Sequence, residues 1–186
     1  EKIASVNGIS TLTRFPFPGT RLRELARLIL GIDKNGEDPW KSSQLVWHIL
    51  DVLPELLKTN EANPLKEWLK RYPHCQGQVN EGEWKLASKI ASAFDDYALY
   101  RPDEIAHWLS HRELKSLLNF GVSDQVIWQP LLIRLLSKRI DTEPFGIQAK
   151  RAVEQLKQGT PLAKVLPKQL HIFGLSSLAP VQVELI

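Results

Sequence analysis

The sequence predicts a mainly α fold that closes on one short β-strand, and three observations carry that expectation. Apolar residues recur at spacings of three and four along most of the chain, as in helices with one buried face. Prolines and glycines fall between these periodic stretches, where helices begin and end. Near the C-terminus the texture changes, and Gln169-Leu170-His171-Ile172-Phe173-Gly174 is a compact apolar run that suits a buried strand. An isolated buried strand cannot satisfy its own backbone groups. Its sheet partners are expected outside this sequence, so the chain reads as a multihelical insertion ending where an α/β core resumes.

The elements follow in order. Ile9 to Arg14 alternates enough for a short extended segment. In Phe15-Pro16-Phe17-Pro18-Gly19, two prolines flanking Phe17 force an extended elbow with its rings presented sideways. Thr20 is expected to cap a helix bearing Leu22, Leu25, Ala26, Leu28 and Ile29. Asp33 to Asp38 is a polar loop. A longer helix runs from about Lys41 to Lys58 on a stripe of Leu45, Val46, Ile49, Leu50, Leu53 and Leu57, with Pro54 expected to kink or split it. Pro64 to Arg71 is a short helix, and His74 to Gly82 a loop.

Gly82 or Glu83 opens the most informative helix, whose buried face is Ala87, Ile90, Ala91, Phe94 and Ala98. Pro102 disfavours helical geometry at Arg101, so the chain turns there and Pro102-Asp103-Glu104 starts another helix reaching Leu109. Glu113 to Phe120 reads as one or two further turns. Gln125 to Arg139 and Phe145 to Gln158 read as helices, with Gly159 just past the second. Beyond the expected strand, Pro180 leads into a helix start near Val181. The expected division is a lead-in segment over 1–19, a helical body over 20–165 and a return to the α/β core over 166–186.

Composition narrows the function classes. A hydrophobic share of 43% and a charged share of 24% are ordinary for a globular protein. No apolar run approaches the roughly 20 residues of a membrane helix, and no signal-peptide pattern is present. The single Cys75 excludes an internal disulfide and suits a reducing compartment. A net charge of +3 permits nucleic-acid binding without requiring it. The absence of Met leads us to expect a piece of a longer polypeptide.

No catalytic, metal or cofactor site is expected. Asp95 and Asp96 are adjacent on a helix and diverge by about 100°, so they do not converge on one ion. His74-Cys75 lacks the further ligands of a zinc site, and no Gly-Lys-Ser or Gly-Lys-Thr phosphate cradle occurs. Two readings of Asp95, Asp96 and Arg101 stay open: an Asp–Arg brace at a helix corner, or a ligand-facing cluster. Of the six tryptophans, Trp47, Trp68, Trp84 and Trp108 lie on helical faces where core packing is the default. The alternative is stacking on the bases of single-stranded nucleic acid, and exposure decides between the two. Arg14, Arg21, Arg23 and Arg27 flank the elbow and suit either phosphate binding or a solvated face.

Several segments, in family order, resemble the RecC family, the gamma chain of exodeoxyribonuclease V in the RecBCD helicase–nuclease. They are Phe15-Pro16-Phe17-Pro18, Trp47 to Leu57, the Phe-Asp-x-Tyr-x-x-Tyr-Arg-Pro pattern of Phe94 to Pro102, Trp128-Gln129-Pro130-Leu131, and Leu166 to Pro180 with its Phe-Gly-Leu-Ser-Ser-Leu-x-Pro pattern. The resemblance implies an inactivated helicase-like core interrupted by the helical insertion, lining a channel for unwound single-stranded DNA and reading a regulatory Chi sequence. It implies RecB-like and RecD-like partner subunits that use ATP and Mg2+, a bacterial cytoplasmic setting, and double-strand break repair by recombination.

By resemblance, Asp95 and Arg101 match Chi-reading positions. Phe17 stands where the best-known members have Leu, and Arg23 where they have Trp. Ser92, Ala93 and Asp96 fall at reading positions but differ from the Asp, Leu and Gln found there. An Arg of the family expected within Phe145 to Gln158 has no clear counterpart, and whether Lys150 or Arg151 substitutes for it stays open. The competing expectation is a structural helical scaffold that braces the complex or contacts a partner without touching DNA.

Overall fold

The computed structural model describes residues 16–32, 37–73, 80–110, 123, 125–159, 171–173 and 177–186. Among them the chain forms eight helices and no strand: α1 (Pro18–Ile29), α2 (Ser42–Leu56), α3 (Asn63–Leu69), α4 (Glu81–Tyr100), α5 (Pro102–Ser110), α6 (Trp128–Ser137), α7 (Phe145–Lys157) and α8 (Pro180–Val183). The mainly α expectation holds. The expected turns over Glu113 to Phe120, and most of the expected strand, lie outside the described residues. His171 to Phe173 carries no regular secondary structure, and Phe173 is 81% exposed.

Local chemistry accounts for the helix ends. The first helix starts at Pro18, whose fixed φ suits the first helical position, and Phe17 rather than Thr20 is the capping residue. It stops at Leu30, followed by Gly31 at φ +69°, a left-handed conformation that glycine adopts without a side-chain clash. Helix α2 runs unbroken through Pro54, at the cost of the one bond its missing N–H would have donated back to the Leu50 carbonyl. Helix α4 opens on a capping box: the Asn80 side chain accepts from the Glu83 N–H at 2.7 Å, and Glu83 Oε2 accepts from the Asn80 N–H at 3.1 Å. The acidic Glu81 and Glu83 also complement the positive end of the helix dipole.

Two hydrophobic clusters organise the helices. The larger joins Trp40 with the apolar faces of α2 to α6, including Leu45, Ile49, Leu53, Phe94, Ile105, Trp108, Leu132 and Leu136. The smaller draws on both ends of the chain: Leu22, Leu25, Ala26 and Ile29 of α1 meet Phe145, Ala149, Ala152 and Val153 of α7 and Val181 of α8. Helix α4 is the shared strut, packing against α2, α3, α5, α7 and α8. Its crossing with α7 is close enough to demand glycine. A Cβ on Gly146 would lie 1.9 Å from the Ala98 carbonyl oxygen and 2.7 Å from Pro102 Cβ.

Candidate functional site

The C-terminal half of α4 positions most of the candidate residues. Ala87, Ile90, Ala91, Phe94 and Ala98 are buried, as their spacing predicts. The same periodicity leaves Ser92 and Asp96 exposed, Ala93 half-buried and Asp95 at the boundary between core and solvent. Pro102 ends the helix. Arg101 takes a non-helical conformation at φ −135°, ψ 45°, and its N–H still donates to the Tyr97 carbonyl at 2.8 Å.

Asp95 does not pair with Arg101. Its partner is Arg23 of α1, whose Nη2 lies 2.5 Å from Asp95 Oδ1 while Nη1 lies 2.9 Å from Asp38 Oδ2. The Arg23 side chain is only 16% exposed, and its guanidinium sits 4.6 Å from the centre of the Phe145 ring. One cation thus ties α1 to α4, to the segment before α2 and to the first residue of α7. Asp38 is itself fixed by accepting the Trp40 N–H at 3.0 Å, and the buried Trp40 indole donates to the Thr142 carbonyl at 2.5 Å. A half-buried guanidinium with five donors needs more than one acceptor, and Asp38 supplies the second; because the burial of Arg23 is not visible in the sequence, no sequence signal points to Asp38.

Arg101 occupies a different environment. It is 58% exposed, with its guanidinium 5.1 Å from the centre of the Tyr97 ring and 3.6 Å from Glu104 Oε2. The buried Asp–Arg brace at this corner is therefore replaced by an exposed cation on an aromatic shelf. Phe17 projects from the start of α1 and is 83% exposed. Farther along, Lys150 pairs with Asp103 and Arg151 with Glu143. Arg23 and Asp95 are brought into contact, whereas Arg101 is held apart from both.

The tryptophans divide by exposure. Trp40 and Trp108 are buried, but Trp47 and Trp84 are 59% and 41% exposed and meet edge to face at 5.1 Å, which corrects the core expectation for these two. Trp84 also lines an open groove with Trp68, Tyr72, Lys85 and Lys89. No group of three or more His, Cys, Asp or Glu side chains that could hold a metal ion occurs among the described residues. Among them, no helix is long and apolar enough to cross a membrane.

The RecC N-terminal domain family matches this chain over residues 1–186. The chain belongs to the RecC N-terminal domain family. Its relatives include proteins named RecBCD enzyme subunit RecC from Haemophilus influenzae (25% identical over 95% of this chain), Escherichia coli (27% over 95%) and Mycolicibacterium smegmatis (25% over 100%). These alignments cover 17%, 15% and 16% of the respective relatives, so the chain spans about one sixth of their length.

Proposed function

We propose that this RecC-type domain is a non-catalytic part of a RecBCD-type helicase–nuclease that serves DNA repair and recombination by lining a path for unwound single-stranded DNA. In this reading the helical body is an insertion in a helicase-like core, and the apolar run ending at Phe173 returns the chain to that core. ATP, Mg2+ and the hydrolytic chemistry belong to RecB-like and RecD-like partner subunits in the bacterial cytoplasm.

The observation that carries the reading is the exposure of Arg101 and Phe17, at the ends of α4 and α1, both of which the resemblance assigns to strand-facing positions. Ser92, Asp96, Arg101 and the Phe17 ring supply exposed polar, charged and stacking groups on the same two helices or their ends. Because Asp95 is engaged by Arg23, an exposed Arg101 fork is the group better prepared to meet a base edge or phosphate. Recognition of a Chi-like sequence is the finer part of the proposal, with a preference that follows this chain's own residues.

The test is a sequence-dependent degradation assay on the intact complex. Arg101→Ala is expected to leave unwinding near normal and to weaken the response to the regulatory sequence. An unchanged response in the Arg101→Ala and Phe17→Ala variants together would reject the channel reading. One position favours the scaffold alternative: Arg23, with two carboxylate partners and Phe145 beneath it, is built as a brace.

A further inference from the structure

Opposite in sequence to the Arg101 turn, the N-terminal half of α4 carries an aromatic and basic surface that the channel reading does not use. Trp84 meets Trp47 of α2 at 5.1 Å, and Trp68 of α3 lies 4.9 Å from Tyr72. The Lys85 ammonium sits 5.4 Å from the Tyr72 ring centre and is salt-bridged to Glu81, whose hydrogen bond and charge hold its pKa above the usual lysine value. Lys89, one turn on, is exposed and makes no ion pair among the described residues. The groove lined by Trp68, Tyr72, Trp84, Lys85 and Lys89 has a volume of about 450 Å³, with Trp47 meeting Trp84 beside it.

The surface is built rather than incidental. Tyr72 rests on the buried Gly82, where an added Cβ would lie 2.7 Å from Tyr72 Cγ, so the ring is seated by the absence of a side chain. Two features select the ligand. Indole and phenol faces accept any base by stacking, and Lys89 adds a positive charge where a polyanion would run, with the Lys85 ammonium beside it shared with Glu81. The surface also continues into the proposed path. Lys85, Lys89, Ser92, Asp96 and Tyr100 are exposed at spacings of four, three, four and four, a stripe along about 22 Å of α4.

We propose that Trp47, Trp84, Trp68 and Tyr72, with Lys85 and Lys89, form a second contact for single-stranded nucleic acid, stacking bases on the rings and holding phosphates on the lysines. This site rests on the proposed function only for the strand's identity as DNA. Its contact residues are separate, so the two can fail separately.

The experiment uses the full-length polypeptide carrying this domain, a fluorescein-labelled oligothymidylate, and an iodouracil-substituted version for photocrosslinking with mass-spectrometric mapping. Crosslinks at Trp84 or Trp47 are expected. Trp84→Ala should weaken binding by roughly tenfold, and Trp84→Phe should retain most of it. Lys89→Gln, an exposed change with no packing role to lose, should reduce the slope of log affinity against log salt by about 0.7. Crosslinks confined to Phe17 or Arg101, with wild-type binding by Trp84→Ala, would overturn this inference and leave the channel reading standing. Crosslinks at Trp84 with none near Phe17 or Arg101 would do the reverse. Protection of Trp84 from oxidation on assembly with partner subunits, without oligonucleotide, would assign the surface to a protein interface and also overturn it. Should Trp84→Ala fail to fold, an unaltered salt slope in Lys89→Gln carries the rejection.

Discussion

Arg23 and Asp95 meet through Nη2 and Oδ1 at 2.5 Å, and the same guanidinium reaches Asp38 at 2.9 Å. This shared cation stands where the smaller cluster of α1, α7 and α8 abuts the larger one built around α4. Its surroundings are mostly shielded from water, so neither carboxylate is readily compensated by solvent if the cation is lost.

Arg23→Ala should therefore destabilise the domain by about 2–4 kcal/mol, because two partly buried carboxylates lose their partner. Asp95→Asn should cost less, since Arg23 keeps Asp38 and the Phe145 ring. Urea unfolding of both variants tests the order, and equal losses would contradict it.

Arg101→Ala should shift stability by less than about 1 kcal/mol, as expected for an exposed ion pair. If Arg101 reads a base, the substitution should still remove about 1–3 kcal/mol of sequence discrimination. Thermal melting beside the degradation assay separates the two effects. A large fall in melting temperature would make this turn a structural joint.

Gly146→Ala should be severe. The new methyl would meet a backbone carbonyl, which cannot swing aside as a flexible side chain can, so a loss of about 3 kcal/mol or more is expected. Near-normal melting of this variant would show that α4 and α7 can separate at little cost.

Asn80→Ala removes one half of the α4 capping box and should cost about 1 kcal/mol, with Asn80→Asp largely neutral. Hydrogen exchange should report the loss first at the N–H of Glu83, which the Asn80 side chain holds.

The helices were legible because burial repeats with their period. Ala87, Ile90, Ala91, Phe94 and Ala98 could be assigned to one face from spacing alone, and Gly159 at φ +70° ends α7 where a glycine was expected. Partnership across the fold was not legible. Periodicity states which face of α4 is buried but not that α1 lies beside it, so the partner of Asp95 was sought nearby at Arg101 rather than 72 positions upstream. The tryptophans posed a similar problem. Trp47 and Trp84 lie on helices with strong apolar stripes, yet at the margins of those stripes, where a large ring can face either way.

The smaller cluster carries a consequence for synthesis. The apolar face of α1 finds its partners in α7 and α8, and the first residue of α7 follows Ile29 by 116 positions. At ordinary translation speeds of ~5–20 residues per second, Leu22, Leu25 and Ile29 wait about 6–23 s for their complement to be made. The larger helical body can condense during that interval, while α1 remains a sticky amphipathic ribbon. Slowing or truncating the ribosome's product before Phe145 should thus leave a folded larger cluster beside an aggregation-prone α1.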